Sequence, residues 1–557
     1  MANGTNVTLA SAEAGRAATL LLDMTPAPCG FVAAVGMRGL TLRDLDLQAV
    51  RPASTLAYFG AVAADNRSFT LTVAPTVNAS CNYSFAGLAS GAHPWLGAIE
   101  TLQPVERCGP LRRDWRYVVP VARPGAPVAQ YVWRKPYNRL PVTSYEPGAR
   151  VLTVAFDDSG SLRSLPAEQP FVVRHVVYGN DGVYALGGSN ISLTRVRLYA
   201  TAGMGFHFDF AHNVVLSQVG VLAPAGRPFS ISADAVHCIS CTGAFDVHSS
   251  VFENHGDDGL NVHGQLELVE GIQPPDTITV QPGWTSALLL APLGTPYRFR
   301  NSTTLEVLGE RDLLAIESNG PTVRARFTSL PPGLAVGDSL IAAGLAPATN
   351  VVNCTWRNCR CRGAILSTGQ QPVTVADSSF LGTTKSAVIL IDGAVSPDCF
   401  LEGPFSQRVL LQNNTIVLQP NGYLPSTPAP PATLFQSAGA VQVAAGTPVR
   451  YANGSLNVNQ GILVTHGPPV YGNLTLLNNR IVLGQAPQWV AGEPVFFPRA
   501  AVHAGSLASL VLANNTISGN QAPYDVCAFD TTSVSLDASN HCPGRARCRF
   551  NATSRCL

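Results

Sequence analysis

Three aspartates in the most polar part of the sequence could carry acid–base chemistry. Asp234 follows GRPFSISA, and Asp257 and Asp258 follow FENHG, so Asp257 comes 23 positions after Asp234. Carboxyl groups held close together resist simultaneous ionisation, so at least one pKa should rise. Glycosidic hydrolysis needs such a set, because one carboxyl protonates the leaving oxygen while another activates water. Gly256 and Gly259 flank the pair and are expected to leave room for a ligand. A solvated, Asp-rich turn is the alternative interpretation.

Residues near the aspartates have types that bind polar ligands. His237 and His263 are expected either to donate hydrogen bonds to substrate or to hold the carboxylates, whereas His248 and His255 are expected on other faces. The residues that we assign to substrate binding in this stretch are Arg227, His237, Asn261 and His263.

Metal binding is the other chemistry that these residue types allow. The spacing of the histidines and aspartates matches no zinc motif, so we predict no metal and no cofactor. Cys238 and Cys241 form C-x-x-C, and CTWRNCRC begins at Cys354. These cysteines alternate with apolar residues, which predicts buried thiols or a disulfide rather than zinc.

Short β-type runs repeat along the chain and would position these residues. NISL at Asn190 and NVVL at Asn213 lie 23 residues apart, as do AILS at Ala364 and AVIL at Ala387. LLQNNTI, LLNNRI and VLANNTI share an Asn-Asn pair at a bend, and stacked coils would turn such asparagines into ladders. The repeat predicts an all-β fold, a parallel β-helix, rather than a β-sandwich, which needs no such period.

Two stretches interrupt the coils and look like small antiparallel β units. We place the first coils at 1–79, the first inserted unit at 80–175 and the coils with the active site at 176–265. The second inserted unit is placed at 266–350, C-terminal coils at 351–520 and a Cys-rich tail at 521–557. We see no capping helix and expect that N-terminal sequence is missing.

Composition excludes some partners. The net charge of +1 gives no electrostatic footprint for nucleic acid, and no apolar run is long enough for membrane insertion. The chain begins without a recognisable signal peptide. Thirteen N-x-S/T matches and the cluster Cys527, Cys542, Cys548 and Cys556 nevertheless favour a secreted or cell-wall protein. The sequence leaves the oligomeric state open.

The sequence resembles glycoside hydrolase family 110, the α-1,3-galactosidases. The resemblance lies in ATAGMGFHF from Ala200, GRPFSISADAVHC from Gly226 and GDDGLNVHG from Gly256, and more loosely in FLEGPFSQRVLLQNNTI from Phe400. It implies a right-handed β-helix that removes terminal α-linked galactose from oligosaccharides or polysaccharides with inversion and without a cofactor. It places the catalytic acids at Asp234, Asp257 and Asp258, with Glu402 as a weaker, substrate-binding candidate.

Two other functions remain open. A polygalacturonase-like hydrolase of family 28 also pairs one Asp with an Asp-Asp a coil later, but GLNVHGQ after the pair lacks the basic residues that a uronate needs. A non-catalytic carbohydrate-binding β-helix is the second alternative. By analogy with family 28, we assign Asp257 as the general acid and Asp234 and Asp258 as the joint base, with side chains that splay to roughly 6.5–9.5 Å.

Overall fold

The computed structural model is an all-β, right-handed parallel β-helix with antiparallel insertions, as predicted. One short helix, Ala287–Leu290, occurs among the described residues. The structure describes residues 3–13, 16–22, 30–49, 54–64, 67–73, 117–120, 142–146, 148–155, 170–174, 181–224, 229–280, 287–301, 304–319, 322–359, 362–383, 388–392, 402–418, 440–444, 446–450, 456–463, 470–484, 500–519, 524–543 and 548–551.

Parallel strands stack in three columns, which form three faces of the helix. The first face consists of Val32–Val35, Val183–Leu186, Phe206–Asp209, Val236–Ile239, Leu260–Gln273, Ala364–Leu366, Ile389–Asp392, Val441–Ala444, Val502–Gly505, Val526–Phe529 and Phe550–Asn551. The second consists of Thr5–Ala10, Arg38–Ala49, Ser189–Leu198, His212–Ser217, Thr242–His248, Ala348–Val352, Pro372–Ala376, Arg408–Gln412, Tyr471–Leu477, Leu507–Ala513 and Ser533–Leu536. The third contains the C-terminal ends of the long strands Arg38–Ala49 and Ser189–Leu198. Its other strands are Ala18–Leu22, Gly220–Val221, Val251–Glu253, Thr355–Arg357, Ser379–Thr383, Thr415–Leu418, Arg480–Leu483 and Thr516–Ser518.

Alternation along each strand separates the core from the outside, because successive strand side chains point to opposite faces. Ile191 stacks on Val214 in the next coil, a step of 23 residues, and both are buried. On the third face the rings of Phe252, Trp356 and Phe380 stack with centroid spacings of 5.1 and 4.7 Å. The core is therefore a continuous column of apolar side chains through the coils.

The predicted asparagine ladders are confirmed at the bend after the second face. Asn413, Asn478 and Asn514 have φ of 54°, 56° and 53°, and each side-chain amide donates to the residue one coil earlier. A second ladder runs inside it, where buried Asn479 donates to Asn515 at 3.0 Å and accepts from Asn414 at 3.0 Å. Asparagine fits because it tolerates the left-handed conformation.

Antiparallel units interrupt the coils. The first contains Ser54–Val62, Ser68–Val73, Tyr117–Pro120, Val142–Glu146, Val151–Ala155 and Pro170–Arg174. It begins at Ser54, before the predicted start at 80, because the strands after Ala49 pair with the insertion instead of a coil. The second unit extends Leu260–Gln273 with Thr277–Val280, Pro296–Arg300, Val307–Asn319, Thr322–Phe327 and Ser339–Ala342. Further antiparallel strands are Glu402–Gly403, Gly446–Arg450 and Leu456–Leu463.

Two details differ from the sequence pattern. Ala364 pairs with Ile389, a step of 25 residues, so the match between AILS and AVIL does not mark the register. The segment placed in a separate tail continues the helix, since Val526–Phe529 and Ser533–Leu536 pair with the preceding coil.

The cysteines on the coils face the core, as predicted. Cys238, Cys241 and Cys354 are buried thiols within the main apolar cluster. In the tail, Cys542 and Cys548 lie at bonding distance, with Cα atoms 5.3 Å apart.

Candidate active site

Short turns precede the first-face strands that contain Val236, Leu260 and Ala364, and the side chains of these turns form the base of the site. Val236 pairs with Leu260, and Leu260 pairs with Ala364. Counting back two residues from each strand, Asp234 stacks on Asp258, which stacks on Arg362. The step from Asp234 to its equivalent is therefore 24 residues, so the predicted stacking of Asp234 on Asp257 is wrong. Backbone N–H groups of Ala235 and Gly259 donate to the carbonyls of Asp258 and Arg362 and fix this order.

Arg362 neutralises Asp258 with two parallel hydrogen bonds. Its Nε donates to Oδ1 at 2.8 Å, its Nη2 donates to Oδ2 at 2.7 Å, and its backbone N–H donates to Oδ1 at 2.9 Å. Burial, the largest effect, and Asp257 raise the pKa of Asp258, while the guanidinium opposes that rise. Because both oxygens accept N–H donors, the geometry suits the carboxylate.

Sequence reasoning missed Arg362, since the second inserted unit separates it from Asp258 in the chain. A signal existed nonetheless. Five coils carry a similar turn ahead of the first-face strand: an Asp, Met or Arg, then Gly or Ala, then an apolar residue. These turns read DGV, MGF, DAV, DGL and RGA, starting at Asp181, Met204, Asp234, Asp258 and Arg362.

Asp234 is buried, with 4% of its surface exposed. Its Oδ2 lies 2.6 Å from His237 Nδ1, and its Oδ1 accepts from the Asp258 backbone N–H at 3.1 Å. Burial raises the pKa of Asp234 well above its ordinary value, and the charges of Asp258 and Asp257 raise it further. The sequence-based expectation of a raised carboxyl pKa is thus met at Asp234.

The three carboxyl groups converge more closely than expected. One oxygen of each of Asp234, Asp257 and Asp258 lies within 4.8 Å of the others. That is shorter than the roughly 6.5–9.5 Å of a pair that leaves room for water, so the expected splaying is not observed. The three are close enough to share a cation, but Arg362 already occupies both oxygens of Asp258. The absence of a metal stays a prediction.

Histidines line the outer side of the same strands. His207, His237 and Asn261 occupy equivalent positions in three successive coils, while their neighbours Phe206, Val236 and Leu260 face the core. His237 Nε2 lies 3.1 Å from the Nε2 of His263, and His263 Nδ1 donates to the Gly264 carbonyl at 2.9 Å. His237 therefore holds a carboxylate, which is one of its two predicted roles.

Asn261 and Glu402 meet beside these histidines. Glu402–Gly403 pairs antiparallel with Gly264–Gln265 and brings Glu402 to the site from a distant segment. Asn261 Nδ2 donates to Glu402 Oε1 at 3.2 Å, and Glu402 lies 3.9 Å from His263 Nε2. Asn261 Oδ1 is buried without a protein hydrogen-bond partner. That oxygen could accept a hydrogen bond from a substrate hydroxyl.

The remaining residues considered from the sequence, His255, His248 and Arg227, have different outcomes. His255 was expected on another face, but its Nδ1 contacts the Asp257 carbonyl at 2.9 Å, and burial lowers its pKa to about 4. His248 lies on the second face, away from the site, as predicted. Arg227 lies outside the described residues.

The glycines around the aspartate pair serve packing rather than ligand access. A Cβ on Gly256 would lie 2.4 Å from the Ser232 carbonyl oxygen, and one on Gly259 would lie 2.4 Å from that of Gly363. The room that was expected for a ligand is filled by neighbouring coils.

A second polar cluster, one coil earlier, was also missed. His207 contacts Asp181 at 2.7 Å and Asp209 at 3.0 Å, and the Tyr184 hydroxyl donates to Asp209 at 2.9 Å. Burial alone would lower the pKa of His207, but Asp209 and Asp181 overcome it and hold the pKa well above its ordinary value. His207 is therefore an imidazolium, and its ring centroid lies 5.1 Å from that of His237.

The curated proteins that the chain matches are named as α-1,3-galactosidases, and the identities are low. No protein-family model matches the chain. It is 25% identical over 261 residues to alpha-1,3-galactosidase A of Bacteroides fragilis, covering 45% of this chain and 42% of that protein. It is 26% identical over 254 residues to alpha-1,3-galactosidase B of Parabacteroides distasonis, covering 42% and 40%. The chain thus matches about two fifths of the length of these relatives.

Solved structures offer only a remote likeness. The catalytic domain of a GH87 alpha-1,3-glucanase in complex with tetrasaccharides has a TM-score of 0.26 at 10% identity, covering 68% of this chain and 55% of the other.

Among the described helices, none has the length and apolar character needed to cross a membrane.

Proposed function

We propose that this protein is a glycoside hydrolase that releases terminal α-linked galactose, with α-1,3 as the favoured linkage. The observation that carries the proposal is the convergence of three carboxyl groups with distinct environments in one buried cluster. Burial raises the pKa of Asp234, whereas the Arg362 guanidinium opposes such a rise at Asp258, so two neighbouring carboxyl groups differ in their affinity for a proton. Paired carboxyl groups of this kind perform glycosidic hydrolysis.

A neutral sugar fits the charges of the site better than a uronate. Arg362, which lies beside the aspartates in the described part of the chain, has its guanidinium directed at both oxygens of Asp258. A uronate carboxylate would have to compete with Asp258 for it. The names of the relatives, α-1,3-galactosidases, support galactose as the sugar. The proposed substrate is therefore a galactose-terminated oligosaccharide or polysaccharide.

Inversion of configuration belongs to the same proposal. Its support comes from the resemblance to family 110. The spacing of the three carboxyl groups is shorter than that of a typical inverting pair and does not by itself indicate inversion. The proposed balance is one protonated carboxyl that serves the leaving oxygen and one carboxylate that takes the proton of water.

The test is a substrate panel with matched variants. The purified full chain should hydrolyse an aryl α-galactoside and α-1,3-galactobiose, and should hydrolyse α-1,4- and α-1,6-galactobiose less well. Asp258→Asn should abolish turnover, whereas Asp246→Asn, on the second face and bonded to Asn350, should retain it. Degradation of polygalacturonate without hydrolysis of α-galactosides would overturn the proposal in favour of the family 28 alternative. Sugar binding without turnover of any substrate would favour a carbohydrate-binding protein.

A further inference from the structure

A buried arginine, Arg300, lies where the second inserted unit meets the coils. It ends the strand Pro296–Arg300, and 7% of its surface is exposed. Its guanidinium carbon lies 4.7 Å from the centroid of the Phe405 ring, and its Nη1 donates to the Leu305 carbonyl at 2.8 Å. Phe405 and Leu305 both belong to the main apolar cluster of the coils. We call this junction, formed by Arg300, Leu305, Ser339 and Phe405, the seam.

Arg300 has no carboxylate partner among the described residues. A guanidinium has five N–H donors, and the Leu305 carbonyl accepts from Nη1 alone, while Phe405 contacts the flat face of the group. Arg298, two residues earlier on the same strand, donates to Glu310 at 2.7 Å and has 23% of its side chain exposed. The more deeply buried of these two arginines is therefore the one without a counter-ion.

The guanidinium of Arg300 is charged at neutral pH. Burial, the largest effect, and the charge of Arg298 lower the pKa of Arg300 to about 10, which leaves it protonated. A buried charge without a counter-ion is costly. Because folding has already removed most of the water around this group, an anion that binds it has little water left to displace.

A hydroxyl group lies beside the guanidinium. Ser339 pairs directly with Arg300 in an antiparallel ladder, which places the two side chains on one face with Cβ atoms roughly 4.5–5.5 Å apart. Ser339 is buried, and within the described chain its hydroxyl makes no hydrogen bond. Neither its oxygen nor the Arg300 nitrogens are among the unpaired atoms that are completely enclosed. A guanidinium and a hydroxyl together are typical donors to carboxylate, sulfate and phosphate groups.

We propose that the seam is a binding site for an oxyanion, held by the Arg300 guanidinium and the Ser339 hydroxyl. The site is distinct from the aspartate cluster, where Arg362 already binds both oxygens of Asp258. The oxyanion is either a free inorganic ion or an acidic substituent of a bound glycan. The proposal does not depend on the glycosidase function.

Binding is tested on the resting full-length protein, with sodium sulfate as the probe and sodium chloride holding the ionic strength constant. Isothermal titration calorimetry should show saturable binding of one sulfate per chain. Arg300→Met should weaken it by roughly tenfold or more, because it removes the charged donors. Ser339→Ala should weaken it less. The matched control Arg298→Met should change it by at most about threefold, since that cation is paired with Glu310.

A second substitution covers the case in which Arg300→Met does not fold. Arg300→Lys keeps the charge but loses the planar fork of donors, so it should bind sulfate more weakly than the wild-type protein and more tightly than Arg300→Met. Sulfate affinity that is unchanged in folded Arg300→Lys and Ser339→Ala would overturn the proposal.

The source of the oxyanion is distinguished with two disaccharides, α-1,3-galactobiose and the same sugar with a sulfate ester on its reducing residue. If the glycan carries the oxyanion, Arg300→Met should lower kcat/KM for the sulfated sugar by roughly tenfold or more and leave the neutral sugar nearly unchanged. If the ion is free, Arg300→Met should act equally on both sugars while sulfate binding is still lost in calorimetry. Absence of sulfate binding together with equal effects on both sugars would overturn the proposal. A protein that binds sulfate through Arg300 but hydrolyses no galactoside would contradict the glycosidase function alone.

Discussion

Replacing Arg362 by methionine should destabilise the protein, because it leaves a buried carboxylate without its cation. Asp258 has 4% of its side chain exposed, and the variant removes two charge-assisted hydrogen bonds at 2.7 and 2.8 Å. Breaking a buried pair costs roughly 3–5 kcal/mol. Since 29% of the Arg362 side chain is exposed, water offsets part of that, and we expect a loss of about 2–4 kcal/mol at pH 7.

The helix contains a matched control. Arg197 makes the same two-bond contact with Asp46 across neighbouring coils, at 2.6 and 2.9 Å, but its side chain is 46% exposed. Arg197→Met should cost at most about 1 kcal/mol. Chemical denaturation followed by tryptophan fluorescence measures both variants.

The destabilisation caused by Arg362→Met should depend on pH in a definite direction. Burial already raises the pKa of Asp258 in the folded protein, and without Arg362 it should rise further above that in the unfolded chain. The destabilisation should then be present at pH 7 and should shrink as pH falls toward the ordinary Asp range, where Asp258 binds a proton in both states. Arg362→Met/Asp258→Asn should recover most of the loss. Equal costs for the Arg362 and Arg197 variants would refute this account of the ion pair.

Three further predictions concern other parts of the molecule. Asn479→Ala should cost about 2–3 kcal/mol in denaturation, because it strands ladder partners inside the helix, whereas Asn478→Gly at the exposed, left-handed position should cost well under half of that. The kcat/KM of the wild-type protein should show a bell-shaped pH profile, because one of the three close carboxyl groups must be protonated and another ionised while burial raises the pKa of Asp234, and a profile that lacks either limb would contradict the proposed acid–base pair. Secreted protein should carry N-glycans and a reducible Cys542–Cys548 bond, and intact mass unchanged by both glycosidase and reductant would argue against the proposed export.

The repeat in the sequence was enough to predict the fold. Apolar runs recur at a step near one coil, and the Asn-Asn bends could be recognised because stacked coils bring like residues together, as in the ladder at Asn479. Such runs and bends can be recognised within a short segment of sequence, without knowing which coils are neighbours. The steps themselves vary, from 23 residues between Ile191 and Val214 to 25 between Ala364 and Ile389, because turns between strands absorb extra residues.

That variation explains the main error at the site. One residue more than the expected step moves the partner of Asp234 from Asp257 to Asp258, and a shift of one residue reverses which side chains share a face. Arg362 was not predicted, and Glu402 was only a weaker candidate. Long insertions separate Arg362 from its partner Asp258, and Glu402 from its partner Asn261. Contacts of that kind depend on which coils are stacked next to each other, and the sequence pattern alone does not show that across a long insertion.

The most direct test of the central claim is the proton NMR spectrum of galactose recorded during hydrolysis of α-1,3-galactobiose by the full chain. The account predicts that galactose is released and that the β-anomer appears first, with the α-anomer growing only by mutarotation. Asp234→Asn should slow this release by several orders of magnitude, while Asp246→Asn should not. Initial release of α-galactose would contradict inversion, and no release by a folded protein would contradict the proposed function itself.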